Sequence, residues 1–548
     1  MTIQLPAFRF EAEAFQLGKD KILGRQSAGY GFLRALLALP ELDELVGYGP
    51  TKSSDRNFEG AVSRLKRDVA TQWVTSGSEE CLAEVGGVHF PDPVLAEPAK
   101  IRLAYGSAAW SITGITHTIC SRSVMAELAD YTLAPLMEWD GLILTSDAVK
   151  ASVEELLTEQ ESYVAWRFPD AKPAPRPQLP VIPLGVHSAD YAFTLAQKNI
   201  ARRALGIDDR EVVFLYVGRL SFHAKANPWP MYKALEEASR RTGQSVTLIQ
   251  CGWFSNSSIE SVFRQGADVH APSVRHIWLD GRVENQRNQA WAAGNIFVSL
   301  SDNIQETFGL TPLEAMAAGM PVLVSDWNGY RQTVQNGVTG FMVPTFAPAP
   351  DFGEAYAQAY ASDAMSYDYY LAHTARHISV DLAALFDAAE ALVKNADSRR
   401  AMGLAGQKIA RNRFDWSIII REYLALWDEL GLIRRANVSN PRFSLRKSAD
   451  RLSPFRLFAG YPSKAVDSHF RFRLRRGDCD VSEFLSDPLF GLVRETLPDD
   501  HSFSALIAGI HGSDCLALEE AADRAGMPLD KATQIVTALM KGGVIEAA

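Results

Sequence analysis

Glu306 and Glu314 stand eight residues apart in the segment SDNIQETFGLTPLEAMAAGMPVLVSDWNGYRQTVQNGVTGFMVPT (301–345). The pattern reads strand, loop, helix, short strand, with Glu306 in the loop and Glu314 inside the helix. Pro312 falls near the first helical turn, where its missing N–H costs little. The loop Thr307, Phe308, Gly309, Leu310, Thr311 then presents backbone N–H groups at a helix N-terminus. That arrangement holds an anion such as a diphosphate without a metal. A second segment, VGRLSFHAKANP (217–228), adds positive charge: Arg219 follows an apolar run and Lys225 lies six residues on. Arginine grips phosphate oxygens bidentately, and lysine acts as a compact point charge. Two carboxylates and two cations around a phosphate cradle suit a nucleotide-sugar. One carboxylate can take sugar hydroxyls and the other ribose hydroxyls.

Such a site needs strands to carry it. The apolar runs GLILTS (141–146), EVVFLYVG (211–218), VTLIQCG (246–252), NIFVSLS (295–301) and PVLVSD (321–326) read as buried parallel strands. Helical stretches such as 147–160 and 311–319 lie between them. Alternating strands and helices imply a doubly wound α/β architecture, whose ligand sits at the carboxyl ends of the strands. About 420 residues is too long for one such sheet, so two are expected. The Pro- and Gly-bearing segment 176–193 reads as the hinge between them. The first strand is hard to see before Leu23.

These pieces resemble the retaining glycosyltransferases of family GT4. The matching residues are VGRL…K (217–225), the E-x7-E block with FGL and EAMAAGMPV (306–322), DWNGY (326–330), NGVTGF (336–341) and VIPLGV (181–186). GITHTICS (114–121), GLILTSDAV (141–149) and RFDWSIIIREYLALWDEL (413–430) match as well. The resemblance covers roughly 20–435 and implies an α/β fold of the GT-B type, two Rossmann-like domains facing a cleft. The expected boundaries are 1–185 for the acceptor-side domain, closed by helix 413–432, and 186–412 for the nucleotide-sugar domain. By the resemblance, Arg219 and Lys225 stabilise the departing diphosphate, Glu306 holds donor-sugar hydroxyls and Glu314 binds the ribose. The N–H groups from Phe308 through Gly309 and Leu310 to Thr311 hold sugar and phosphate. His117 faces the transferred sugar. The loop 24–31, with Ala28 and Gly29, lies near donor phosphate and acceptor, ahead of a helix at 31–39. No metal or cofactor is implied, because the nucleotide-diphosphate sugar is a substrate. The acceptor is a glycan, a lipid-linked or small molecule, or a protein. Four residues separate Leu220 from Lys225 where the family has three. The segment 346–380 looks like an insertion and receives no role. A phosphorylase or epimerase of the same fold, and a noncatalytic scaffold, are the competing readings.

The 548 residues carry 55 Lys plus Arg against 65 Asp plus Glu, a net charge of −10. That balance argues against coating nucleic acid, and 27 Phe, 16 Tyr and 11 Trp can fill large cores. No stretch approaches the ~20 apolar residues of a membrane span, and the N-terminus lacks the pattern of a secretory signal. The five cysteines are odd in number and scattered, so a reduced cytoplasmic setting is the default. The average charge hides an asymmetry. Residues 434–476 hold 12 basic residues against Asp450 and Asp467, whereas 477–548 hold 13 acidic against four basic. We therefore expect a basic connector at 436–476 and an acidic, winged-helix-like tail at 477–548. The tail offers too few cations for DNA, so nucleic acid is not an expected partner and a protein contact is the alternative. In 442–476, Phe and Leu interleave with Arg. That composition suits peripheral contact with an anionic membrane, but the favoured reading is a linker packed on acidic surfaces of the same chain. His373 and His377 have helical metal-ligand spacing without a third ligand. Asp351-Phe352-Gly353 and Asp478-Cys479-Asp480 are chance motifs.

Overall fold

The computed structural model describes residues 5–15, 24–66, 68–475 and 484–548. Two compact units divide the chain, residues 1–448 and 449–548.

The first unit contains two six-stranded parallel sheets. The first sheet comprises β1 (Ala7–Arg9), β2 (Glu44–Gly49), β3 (Ala70–Thr75), β4 (Gly87–His89), β5 (Ser111–Ile115) and β6 (Gly141–Ile143), in the order β3-β2-β1-β4-β5-β6. The second comprises β7 (Val212–Val217), β8 (Val246–Gly252), β9 (Arg275–Asp280), β10 (Ile296–Ser299), β11 (Val322–Ser325) and β12 (Gly340–Val343), in the order β12-β11-β10-β7-β8-β9. Both repeat the doubly wound order of the Rossmann fold, as expected for the GT-B class. In each sheet the chain reverses direction between its first and fourth strands. The crevices open there, between β1 and β4 and between β7 and β10.

The second sheet is legible because its inner strands are covered on both faces. Every residue of β8, β10 and β11 is buried. β-Branched and aromatic runs fit such pleated, fully covered positions. The helices begin where capping chemistry permits. Asn227 caps Pro228–Thr242, and Ser146 caps Asp147–Arg167 by accepting from Val149 N–H.

The segment 176–193 runs beside β6, with Gln178 and Val181 bridging Gly141 and Leu144. It ends in a short 3-10 turn, Ser188–Tyr191. The long helix Trp416–Asn437 returns to the first sheet, where Trp427 Nε1 donates to Thr113 Oγ1 at 3.2 Å. Its Trp416 indole fills space that a methyl group at either Gly31 or Gly185 would occupy.

In the N-terminal part the structure supplies a strand that is hard to see in the sequence and corrects one expectation. A strand does precede Leu23: β1, only three residues long, pairs with β2 and β4. The segment 24–31 is not a loop, because the helix covers Gly24–Leu37 and includes Ala28 and Gly29. Gly29 and Gly31 serve helix packing. A side chain at Gly29 would collide with the carbonyl of Ala14 in the helix Ala12–Phe15.

Among the described residues of the second unit the longest helices are Asp500–Ile510, Leu518–Arg524 and Leu529–Lys541, beside two short ones, Pro454–Leu457 and Pro488–Leu492. They accompany a three-stranded antiparallel sheet in which β15 (Arg471–Leu474) lies between β16 (Leu516–Ala517) and β17 (Ile545–Ala547). Phe472, Phe503, Leu506, Ile535 and Leu539 form its core. The end of the basic segment is thus the central strand of this unit, and Arg473 pairs with Glu546 at 2.8 Å. The unit starts at Ala449, ahead of the boundary expected at 477. That position, with Asp478-Cys479-Asp480, lies outside the described residues. The beginning of the segment packs on the first unit, where Arg446 N–H donates to Leu103 O at 2.8 Å. Among the described residues no helix is long and apolar enough to cross a membrane.

Candidate functional site

The carboxyl ends of β7 and β10 flank the crevice of the second sheet. After β7, Gly218 adopts φ +150° and turns the chain so that Arg219 leaves the strand end. Tyr216 Oη donates to the Arg219 carbonyl at 3.1 Å and fixes that turn. The Arg219 guanidinium donates to Gln305 Oε1 at 2.8 Å. Between Leu220 and Lys225 the four residues wind into a turn closed by Lys225 N–H on Ser221 O at 3.0 Å. The turn absorbs the extra residue, and Lys225 Nζ reaches Glu306 Oε2 at 2.9 Å. Arg219, Lys225 and Glu306 are therefore gathered at one strand-end crevice, although they come from two loops.

The loop after β10 is held from beneath by buried polar groups. Asp302 Oδ2 accepts from Asn227 N–H at 3.1 Å and ties this loop to the end of the β7 loop. Asn303 accepts from Gln305 N–H at 2.9 Å through its side chain and donates to His223 O. Its carbonyl accepts from Trp327 Nε1 at 3.1 Å. Burial pushes the Asp302 carboxyl up from 3.8 to about 7, because only one of its oxygens has a partner. Sequence reasoning passed over Asp302, Asn303 and Gln305. The available signal was three consecutive polar residues, Ser301 to Asn303, continuing a strand that should have ended in an apolar or loop residue.

The helix Leu310–Ala317 starts at Gly309, whose φ is +84°, and no side chain caps it. Its first N–H groups are thus left for a ligand or water. Glycine is required at 309 for two reasons. The backbone is left-handed, and the Tyr330 ring lies where a Cβ would be. Tyr330 is buried and shares a hydrogen bond with Ser299 Oγ at 3.0 Å, so it braces the loop from behind. The Phe308 side chain is also buried, which leaves only its backbone to face a ligand. Glu314 lies further along this helix and is hydrogen-bonded to Tyr191 of the 3-10 turn Ser188–Tyr191, with Arg287 nearby. Burial raises its carboxyl, and the tyrosine hydroxyl and the arginine charge pull it back.

The remaining sequence-derived residues lie in the first domain. His117 follows β5, and its Nε2 faces the Pro91 carbonyl at 2.9 Å. A carbonyl only accepts, so Nε2 carries the hydrogen and Nδ1 is left as an acceptor. Burial lowers the imidazole to about 4, which makes it neutral at pH 7. Ala28, Gly29, Arg25, Phe32, Trp416 and Tyr423 line the same pocket as His117. Ala28 and Gly29 take part through a helix surface, not through a phosphate-cradling loop. His377 Nε2 is hydrogen-bonded to Tyr356 Oη at 3.0 Å, and no cluster of three candidate ligands occurs among the described residues.

Comparison with known proteins gives a consistent assignment for part of the chain. Residues 197–369 match the family described as Glycosyl transferases group 1. A phosphatidyl-myo-inositol mannosyltransferase of Mycobacterium leprae is 29% identical over 156 residues, which are 28% of this chain and 32% of that protein. A D-inositol 3-phosphate glycosyltransferase of Rhodococcus erythropolis is 30% identical over 151 residues, 27% of this chain and 33% of the relative. The chain therefore spans about a third of the length of these curated relatives. A crystal structure of Anabaena HepE with UDP superposes with a TM-score of 0.47 at 16% identity, covering 73% of this chain and 96% of that one.

Proposed function

We propose that this chain, whose residues 197–369 match the family of glycosyl transferases group 1, moves a sugar from a nucleotide-diphosphate sugar to an acceptor with retention of configuration and without a metal. The observation that carries the reading is the gathering of Arg219, Lys225 and Glu306 at the switch point of the second sheet, beside an uncapped helix start. Lys225 and Glu306 neutralise each other when no ligand is present. An arriving diphosphate competes for Lys225 and frees the Glu306 carboxylate to accept from sugar hydroxyls. In this reading Glu314 binds the ribose.

In the reaction, an acceptor hydroxyl attacks the anomeric carbon on the face from which the phosphate leaves. The carbon–oxygen bond to phosphate breaks, the new glycosidic bond forms, and a phosphate oxygen takes the acceptor proton. Arg219, Lys225 and the helix N–H groups stabilise the charge that develops on the leaving group. A neutral His117 accepts a hydrogen bond from the sugar at Nδ1. No carboxylate nucleophile is needed, and the rate comes from positioning and charge stabilisation.

The test is a donor screen. Sugars carried on UDP, GDP and ADP are compared by thermal shift, since a ligand that binds only the folded state raises its stability by about 2.7 kcal/mol at 100 times its Kd. Arg219→Ala and Glu306→Ala are expected to abolish transfer and leave the fold intact. Wild-type turnover in either variant refutes the assignment. Release of the nucleoside diphosphate on acceptor addition separates transfer from phosphorolysis and epimerisation.

Contact with an anionic membrane is part of the same reading. It rests on Phe455 and Tyr461, which are 88% and 83% exposed, with Arg456 and Lys464 close by in sequence. Each basic residue adds about 1 kcal/mol near such a surface. Sedimentation with phosphatidylserine vesicles that is unchanged in a Phe455→Ser, Tyr461→Ser variant excludes it.

A further inference from the structure

The insertion at 346–380 folds into two helices, Glu354–Ala361 and Tyr367–Ala375, followed by β14 (Ser379–Val380) pairing with β13 (Thr345–Phe346). Although it emerges from the second sheet, it is bonded to the first domain. Arg122 N–H donates to Tyr360 Oη at 3.0 Å, and the Arg122 guanidinium donates to Ala361 O at 3.2 Å and pairs with Asp363 at 2.6 Å. Tyr360 is held from its own side by Tyr370, whose ring stacks at 4.5 Å and 10°. Leu371 is fully buried in a small cluster with Cys120 of the first domain and Ala224 of the loop that carries Lys225.

Tyr367 stands in the middle of this contact. Its hydroxyl lies 2.8 Å from Gln305 Nε2 and 3.4 Å from Cys120 Sγ. Cys120 Sγ is in turn 3.1 Å from Thr118 Oγ1, and Thr118 is the neighbour of His117. The donor directions follow from chemistry. Arginine has donors only, so Gln305 must turn Oε1 toward Arg219 and Nε2 toward Tyr367. Tyr367 Oη then accepts from the amide and keeps its own hydrogen for the Cys120 and Thr118 side. The side chain of Gln305 is consequently oriented at both ends, and Arg219 meets a fixed acceptor. Without the tyrosine hydroxyl, the amide loses the partner that tells its two ends apart.

We propose that Tyr367 is a positioning residue: the bridge from Thr118 and Cys120 through Tyr367 and Gln305 to Arg219 sets the phosphate-gripping guanidinium and the His117 loop in register across the cleft. A second bond, Ser146 Oγ to Asn328 Oδ1 at 2.7 Å, joins the same two domains at another point. The insertion is therefore a strap that couples the donor-side cations to the acceptor-side loop. Its effect on turnover rests on the donor site proposed above, and its effect on structure does not.

The test uses Tyr367→Phe, Gln305→Ala and the double variant in the full chain. By the first readout, hydrogen exchange, Tyr367→Phe should speed exchange in both 116–122 and 217–226. Faster exchange confined to the insertion overturns the bridge, whatever the enzyme does. By the second, calorimetry with UDP, GDP and ADP and steady-state kinetics, each single variant should weaken nucleoside-diphosphate binding and lower kcat roughly tenfold, with acceptor KM and Tm unchanged. The double variant should lose no more than either single one, because both break one path. Multiplying losses, or wild-type affinity and turnover in Tyr367→Phe, refute the proposal. A wild-type chain that binds none of the nucleotides overturns the donor site, and the exchange readout still decides the bridge.

Discussion

Replacing Asp302 by asparagine isolates one proton buried beneath the candidate site. The carboxyl is pushed from 3.8 to about 7 by burial, and backbone hydrogen bonds, foremost that from Asn227, offset part of that push. Between about pH 4 and pH 7 the folded chain holds a proton that the unfolded chain has released, so stability is lost as pH rises through this window. Roughly three units at about 1.4 kcal/mol each amount to about 4 kcal/mol, fully expressed above pH 7 and absent below pH 4. His89 and His117 work in the opposite direction. Burial lowers them from 6.5 to about 3 and about 4, so each adds stability as pH rises toward 6.5. The wild-type pH curve alone is therefore a mixture, and the informative quantity is the difference between variant and wild type. Asparagine cannot ionise, and its carbonyl still accepts from Asn227. Urea titrations of both proteins across this range should show the variant gaining about 3–4 kcal/mol on the wild type from about pH 4.5 to about pH 8. A flat difference means that Asp302 ionises at its ordinary value, and the argument from burial is then wrong.

Asp140→Ala should be among the most damaging single changes. Arg102 and Asp140 are fully buried and joined by two bonds of 2.6 and 2.7 Å, and the carboxylate also accepts from Ile112 and Met137 N–H. Removing it strands a charged guanidinium, at a cost of about 3–5 kcal/mol; a loss below about 1 kcal/mol in urea would contradict that. Gly309→Ala should cost roughly 1–3 kcal/mol and weaken nucleotide binding, since a left-handed backbone and the Tyr330 ring both oppose a Cβ. Unchanged melting and unchanged nucleotide affinity would show that the loop has room to adapt. Ser146→Ala should lower stability by about 1 kcal/mol through loss of the cap on Asp147–Arg167. It should also speed hydrogen exchange around Asn328, which a mere capping role would not.

The second domain was readable from the chain because its strands are covered on both faces and its chemistry follows them immediately. Val212–Val217 is apolar throughout and every residue of Val246–Gly252 is buried, and Arg219 and Glu306 follow in the loops at the strand ends, where a ligand can meet them. The first domain was less readable. A strand of three residues, Ala7–Arg9, gives no period to detect. The stretch Gly24–Gly31 has the composition of a loop, yet it is helical because its glycines admit the Ala14 carbonyl and the Trp416 indole at close range. Tertiary packing overrides weak helix propensity there.

By itself, then, the sequence determined the doubly wound class and the cations and carboxylates at the strand ends. Each of these depends on residues near one another along the chain. Only the tertiary structure decided which groups meet. Arg219 and Gln305 lie 86 positions apart, Gln305 and Tyr367 62, and Tyr367 and Cys120 247. It also decided that Lys225 reaches Glu306 across an extra residue and that Asp302 keeps its proton near neutrality. Hydrogen bonds and desolvation depend on distance and burial in space, and no local pattern encodes them.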